Sequence, residues 1–413
     1  IHKIIIYLFK KMCNLRCIYY IICNCLLLKK RKIVMILGVP KEILNNETRV
    51  AVIPSTVKQL ISAGFEVIIE SGAGSLSQIS DDDYLNVGAK IINNTSEVYN
   101  NSDMILKVNS PTDDELSMIK ENSSYLSFFQ TMKEVEKVKI FKNKNITGFS
   151  MHLIPRTTLA QKMDALSSQT NIAGYKAVLI GACHIDKYMP LLMTAAGTIS
   201  PAKVLVLGAG VAGLSAIATA KRLGAQVEAS DVRPEVKEQV ESLGAKFLEV
   251  ESDEKDGVGE GGYAKETSDD YKKKQAELLN ERISVSDIVV TTALIPGRPA
   301  PILINDEMVK SMKPGSVIMD LAAENGGNCS LTKPDEHVNV NGVIIDGTVN
   351  LAGTMSVHAS QLYSKNVCAF LLHGYNKDKD NFNFDDEIVS GSMFTHKGEI
   401  VDERTKNSIK EVN

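Results

Sequence analysis

Tryptophan is absent from this chain, and aromatic residues together make up only 6% of it. Single-stranded nucleic acid is held on stacking platforms of aromatic rings, so that class of partner is disfavoured. Positive charge is not in excess either. The formal net charge is −4, which removes the electrostatic basis for nucleic acid as the main partner. Beyond residue 35, no stretch approaches the roughly 18 consecutive apolar residues that span a bilayer. No histidine occurs between His2 and His152, so that stretch offers no imidazole for acid–base work. Seven cysteines stand at 13, 17, 23, 25, 183, 329 and 368. The last three lack the spacing of a metal site or a catalytic thiol, and read as reduced, buried side chains. No metal is expected.

What is present is a two-domain chain. Its 413 residues suffice for two cores of ordinary size. Residues 1–34 are basic, lack acids and begin with Ile. They read as a targeting leader or as translated upstream sequence, and the second reading is favoured because a clean strand and helix pattern opens at Met35. Strands are expected at 36–39, 66–70 and 103–108. Helices are expected from a Ser55 cap to Ile61, and over 133–141. A second unit starts near Pro201, with strands at 204–207, 227–230, 246–249, 288–292, 316–319 and 343–346, and helices at 212–223, 235–242 and 271–281. Short apolar strands separated by helices imply parallel pairing. The predicted fold class is α/β, with two Rossmann-like, doubly wound parallel sheets and a cleft between them. Residues 35–160, completed by 355–413, would form one domain. A helical stretch, Gln161 to Met193, within the linking residues 161–200, would join it to the second, 201–354. The glycine-rich, charged segment 251–270 cannot support a core and reads as a mobile surface loop, either a lid or docking loop or an inert insertion.

Chemistry enters at Gly208-Ala-Gly210-Val211-Ala-Gly213. Gly208 permits a tight turn, Gly210 lets the backbone approach a pyrophosphate, and Gly213 allows close helix–strand packing. The following helix N-terminus offers free N–H groups to phosphates. Alone the spacing is weak. Here it lies between a strand and a helix, and Asp231 closes the next strand 18 residues after Gly213. A carboxylate there accepts from ribose hydroxyls and repels a 2′-phosphate, so NAD is the expected cofactor over NADP. Arg233 either tolerates that phosphate or is a solvated cation. A second constellation is Arg156, Gln161, Asp164 and Ser167. Three-residue spacing would put the last three on one helix face. By spacing alone, it is either a site at a domain junction or a helix-start ion pair between Arg156 and Asp164.

The run Arg156-Thr-Thr-Leu-Ala-Gln161-Lys-Met-Asp164-Ala-Leu-Ser167-Ser-Gln-Thr-Asn171-Ile-Ala-Gly-Tyr175 resembles the signature loop of the NAD(H)-binding component of proton-translocating transhydrogenases. So do Gly261-Gly-Tyr-Ala-Lys-Glu-Thr, Thr291-Thr-Ala-Leu-Ile-Pro-Gly-Arg-Pro-Ala-Pro301 and Ala359-Ser-Gln-Leu-Tyr-Ser-Lys-Asn366. The resemblance spans Met35 to about Tyr375. It implies that Arg156 holds the nicotinamide carboxamide and pairs with Asp164. Gln161 would reach the NADP(H) of a partner, and Ser167 would touch the nicotinamide end of NAD(H). Val211 and Asp231-Val232-Arg233 would bind the adenosine and pyrophosphate half. Gly262, Gln275 and Leu294 would be further nucleotide contacts, and Tyr263 would tip the mobile loop. The implied partners are an NADP(H)-binding beta subunit and a membrane-spanning alpha subunit. A homodimer and a cytoplasmic, membrane-peripheral location are implied as well.

The nearest competitor is alanine dehydrogenase, which shares the opening Gly38-Val-Pro-Lys-Glu and Asn46-Glu-Thr-Arg49-Val-Ala. That family needs an acid/base His after a substrate-binding Lys. Lys107 is the candidate Lys, but the following stretch reads Tyr125-Leu-Ser-Phe-Phe, and Glu324 stands where the family has its catalytic Asp. Reductive amination moves protons as well as a hydride, so a missing imidazole is damaging. Ring-to-ring hydride transfer moves no substrate proton and needs only aligned rings. His152, near Arg156, is assigned a structural role. A saccharopine-type dehydrogenase and a non-catalytic NAD sensor are the remaining alternatives.

Overall fold

The computed structural model describes residues 34–249, 269–295, 298–376 and 381–412. In chain order the strands begin with β1 Ile36–Val39, β2 Glu66–Glu70, β3 Lys90–Ile92, β4 Met104–Leu106, β5 Ser124–Ser127 and β6 Thr147–Ser150. A hairpin follows, β7 Leu192–Thr194 and β8 Gly197–Ile199. Then come β9 Lys203–Leu207, β10 Gln226–Ser230, β11 Lys246–Phe247, β12 Ile288–Thr291, β13 Val317–Asp320, β14 His337–Val340 and β15 Val343–Asp346. Short pairs close the chain: β16 Tyr375–Asn376 with β17 Asn381–Phe382, and β18 Met393–His396 with β19 Glu399–Ile400.

Two large sheets result. The first has the order β19-β18-β6-β5-β4-β1-β2-β3, and the second β11-β10-β9-β12-β13-β15-β14. Pairing is parallel except at β18, β19 and β14, each of which runs antiparallel to a neighbour at a sheet edge. Both are doubly wound, with strand order reversing at β1/β4 and at β9/β12. Burial on both faces explains the continuous apolar strands. Val204 and Val206 of β9 face one core, with Ile217, Ala220 and Val290. Leu205 and Leu207, one residue out of step, face another, with Ile283, Val289 and Val309. Each such side chain contributes on the order of 1.5–3 kcal/mol on burial.

Some local expectations shift. The first helix is Pro54–Ala63, and Ser55 lies inside it. Pro54 takes the first helical position, where its missing N–H costs nothing, and the Thr56 hydroxyl bonds the Ile53 backbone. The linker is helical over Ala165–His184 and then turns into the β7–β8 hairpin, whereas helix was expected as far as Met193. Cys329 and Cys368 are buried as expected, but Cys183 is exposed. It falls on the solvent side of the linking helix, a face that composition alone does not identify.

Loops leaving the carboxyl ends of strands in both sheets meet. Lys133, beyond β5, donates to Asn325, beyond β13, at 2.7 Å. Asn350, beyond β15, donates to the Asn46 carbonyl at 3.0 Å and to Glu47 at 3.3 Å, both beyond β1. The carboxyl ends of the two sheets therefore face each other, the position at which doubly wound sheets bind ligands.

The helix Ala165–His184 bears on both units. Gly181 lies against Ile288 and Met319 of the second sheet. At Gly174, a Cβ would sit 2.0 Å from the Ala212 carbonyl oxygen at the start of helix Val211–Arg222. Backbone cannot yield there as a side chain would. Gly174→Ala is expected to cost ~2 kcal/mol or more and to lower the Tm by several degrees in a thermal melt. A melt like that of the parent would show that the helices are not so closely packed.

Candidate functional site

The glycine turn is built as its spacing requires. Gly208 has φ +101°, a conformation that strains any residue with a Cβ. A Cβ on Gly213 would lie 1.8 Å from the Gly208 carbonyl oxygen. Gly210 differs: a Cβ there would meet nothing nearer than Arg233 Nη2, at 4.0 Å. The space over Gly210 is open, and helix Val211–Arg222 starts beside it with no side-chain cap. A turn with room above the second glycine and uncapped N–H groups fits a dinucleotide pyrophosphate. Val211 and Leu294 are exposed apolar side chains, at 42% and 46%.

Asp231, directly beyond β10, is almost fully committed. Oδ2 accepts from the Ala209 N–H at 2.7 Å and from Arg233 Nη2 at 2.9 Å. Oδ1 accepts from Arg233 N and Nε, both at 2.9 Å. The carboxylate and guanidinium form a bidentate fork. Burial pushes the Asp231 pKa up, but the Arg233 and Ala209 hydrogen bonds outweigh it and hold the group below its ordinary value. Arg233 is thus not the solvated cation that the sequence left open. Val232 lies half-buried between the two.

The Arg156–Ser167 segment corrects a sequence expectation. Gln161 begins a short 3-10 turn, Gln161–Met163, and the α-helix starts only at Ala165. Asp164 is its N-cap, accepting from Ser167 N at 2.9 Å and from Ser167 Oγ at 2.6 Å. Gln161, Asp164 and Ser167 therefore do not share a helix face; the carboxylate marks a change of direction. Arg156 and Gln161 are exposed, while Asp164 and Ser167 are half-buried. Helix Ser356–Gly374 holds this corner: Asn366 donates to the Lys162 carbonyl and accepts from Ser168 Oγ, both at 2.8 Å.

Gly262 and Tyr263 lie outside the described residues. Gln275 falls in helix Asp269–Val285, and its side chain is outside the described set as well.

Sequence reasoning missed a buried ionic network at the carboxyl edge of the first sheet. Glu47 clamps Arg49, and Arg49 Nη1 donates to Gln169 at 3.0 Å. Gln169 in turn donates to the Ala359 carbonyl at 3.0 Å, tying the linking helix to helix Ser356–Gly374. Lys107, fully buried, pairs with Glu115 and lies 3.6 Å from Glu42. Tyr99 also donates to Glu115, at 3.0 Å. The Lys107 side chain has no exposed surface. Only an unusual density of charge in the opening stretch Lys41–Arg49 hinted at this. Glu324 is exposed and accepts from the Asn350 backbone at 3.0 Å.

His152 packs against Phe128, with ring centroids 4.9 Å apart, and its Nδ1 has no hydrogen-bond partner. Burial lowers its pKa to about 4. The ring is neutral at pH 7, in keeping with a structural role. The unfolded imidazole takes a proton below its ordinary 6.5, whereas the folded one refuses it down to about 4. Stability is therefore full above pH 6.5 and falls as pH drops toward 4, by roughly 3 kcal/mol for this group. Denaturant titrations across that interval should show a smaller acid loss for His152→Leu than for the parent. Equal slopes would remove His152 from the account.

Comparisons with known proteins agree with this geometry. The alanine dehydrogenase/PNT N-terminal domain model matches residues 38–173, and the C-terminal domain model matches 177–403. An NAD(P) transhydrogenase alpha-subunit chain of Rhodospirillum rubrum is 46% identical over 375 residues, covering 89% of this chain and 98% of the relative. Alanine dehydrogenase of Methanococcus maripaludis is more distant, at 30% identity over 83% of this chain and 88% of the relative. A crystal structure of transhydrogenase from Sinorhizobium meliloti superposes with a TM-score of 0.80 at 45% identity, covering 89% of this chain and 100% of that one. The two facing doubly wound sheets, the glycine turn and these likenesses together place the chain in the alanine dehydrogenase/PNT family, on its NAD(P) transhydrogenase alpha-subunit side.

Proposed function

We propose that this chain is the NAD(H)-binding subunit of a proton-translocating NAD(P) transhydrogenase. The observation that carries the reading is the state of Lys107. In an amino-acid dehydrogenase a lysine at this place would meet a substrate carboxylate. Here two buried glutamates occupy it, no imidazole lies in the stretch Tyr125-Leu-Ser-Phe-Phe that follows, and His152 is neutral and largely enclosed. With Lys107 engaged and His152 neutral, the arrangement suits a reaction that moves only a hydride. The high identity to NAD(P) transhydrogenase alpha subunits supports the same conclusion.

The open space over Gly210 is the feature that fits NAD(H). Gly208, Gly210, Val211 and Gly213 would carry the pyrophosphate. Asp231, Val232 and Arg233 would carry the adenosine half, and Leu294 would flank the ring. Gly262, Tyr263 and Gln275 complete the proposed contacts. When bound, NADH supplies a hydride whose C4–H bond breaks as the C4–H bond of NADPH forms on the partner, so one ring is oxidised and the other reduced. Asp164 fixes Ser167 and the turn that presents Gln161, while Arg156 orients the carboxamide. These are positioning roles, and none moves a proton.

NADP(H) and the proton path would belong to partner subunits, a beta subunit and a membrane-spanning alpha subunit. Among the described residues no helix is long and apolar enough to cross a membrane; the placement proposed is peripheral and cytoplasmic, through those partners. The β7–β8 hairpin exposes Leu191, Met193 and Ile199, with Met193 at 79%, and this apolar arm supports a homodimer. We take residues 35–160 with 355–413 as one domain and 201–354 as the other, joined through 161–200.

Measurements of transfer, NADH binding and stability test the reading. The purified chain, mixed with an NADP(H)-loaded partner subunit, should catalyse reduction of an NAD analogue by NADPH. Gln161→Asn should slow that transfer by roughly 10–100-fold while NADH affinity stays nearly intact. A large affinity loss would reject its role, and turnover of L-alanine with NAD alone would reject the function. Gly210→Ala fits the free protein, so its Tm should match the parent. Its NADH affinity should fall at least about tenfold, a change of 1.4 kcal/mol. Undiminished affinity would mean that no pyrophosphate passes over Gly210.

A further inference from the structure

Among the described residues, three metal-ligating side chains converge at β15, three strands along the second sheet from the strand that carries the glycine turn: His184, His337 and Asp346. They come from three places in the chain. His184 ends the helix Ala165–His184. His337 opens edge strand β14, and the antiparallel register sets it directly across from Asp346 at the end of β15. Their ligand atoms all lie within 4.8 Å of one another. His184 Nε2 stands 2.9 Å, and His337 Nε2 3.1 Å, from the same oxygen, Asp346 Oδ2. The rings meet edge-on, with centroids 5.2 Å apart. The other carboxylate oxygen is held by the backbone N–H and the hydroxyl of Thr348, at 2.9 and 2.5 Å.

We propose that this cluster is a binding site for a borderline divalent transition-metal ion, of which Zn²⁺ is the representative. Zinc bonds to nitrogen and oxygen of about 2.0–2.1 Å place tetrahedral ligands roughly 3.3 Å apart. Two of the three spacings here are already close to that. Two imidazoles with one carboxylate favour zinc-like ions over Mg²⁺ or Ca²⁺, which prefer oxygen. Thr348 fixes the carboxylate so that one oxygen faces both rings, the second-shell arrangement that metal sites use. The helix C-terminus adds negative potential beside His184. Asp346 is buried, while His337 is more than half exposed. The exposed imidazole can close the remaining gap to His184, and solvent reaches the open coordination position. The cluster lies at the far end of the helix from Asp164, about 30 Å away at 1.5 Å per residue, and owes nothing to the dinucleotide reading.

The test uses the untagged full chain, stripped with chelator, with Zn²⁺ followed by calorimetry and Co²⁺ by visible absorption. One equivalent should bind at micromolar concentration, raise the Tm and give the intense band of a low-coordinate Co²⁺ site. His337→Ala, an exposed position that does not threaten folding, should weaken binding at least about tenfold, whereas Cys183→Ser should bind as the parent does. Failure of both ions to bind near stoichiometry would overturn the proposal. So would binding that survives His337→Ala, or that is lost with Cys183.

Discussion

The contact on which the arrangement depends is backbone against backbone, Gly174 against Ala212. One helix passes so near the start of another that a single methyl would not fit. That closeness fixes the linking helix relative to the glycine turn, because Ala212 lies between Gly210 and Gly213. The N-cap of the linking helix is Asp164, so the turn carrying Gln161 is set relative to the turn carrying Gly210 with little slack. Gly181, two turns on, seats the same helix on β12 and β13. Helix Ser356–Gly374 braces it through Asn366, which accepts from Ser168, and the Ala359 carbonyl, which accepts from Gln169. A short rigid lever between two loops gives better positioning than either loop could achieve alone.

The edge of the first sheet makes sense in the same terms. Glu42, Glu47, Arg49, Lys107 and Glu115 are all buried, and each charge has a partner close by. Removing one member of such a buried pair costs on the order of 3–5 kcal/mol, so the network is rigid. Burial raises the Glu42 pKa despite Lys107, whereas Arg49 holds Glu47 down to about 2 against the opposing effect of burial. The set is held inside the protein, with every one of these side chains buried. Lys107 is spent inside the protein, paired with Glu115 and close to Glu42.

The doubly wound sheets were legible because their strands are short apolar runs separated by helices, and because the glycine spacing falls between a strand and a helix. The three-residue spacing from Gln161 was legible but misleading. An i, i+3 pattern suits a 3-10 turn as well as an α-helix, and nothing local says that Asp164 caps rather than continues. Arg233 was ambiguous for a similar reason. Two residues apart at a strand end, Asp231 and Arg233 can turn toward or away from each other, and the Ala209 N–H that settles the carboxylate is 22 residues distant. The Lys107 pairs and the Arg49–Gln169–Ala359 bridge join residues brought together only by the fold. His184 and Asp346 are 162 positions apart, beyond any motif spacing.

The Asp231–Arg233 fork bears on which dinucleotide the proposed site would accept. A free arginine beside the strand end would welcome a 2′-phosphate, and a free aspartate would repel it. Neither is free. Opening the fork for a phosphate would strand a carboxylate that is 6% exposed and pull it from the Ala209 N–H that shapes the glycine turn itself. Ribose hydroxyls ask for less, because they can donate to the remaining acceptor capacity of the same oxygens without displacing the guanidinium. On this view discrimination against the phosphate would come from the cost of breaking an internal ion pair, and a carboxylate at the strand end would select NAD because its neighbour is already engaged.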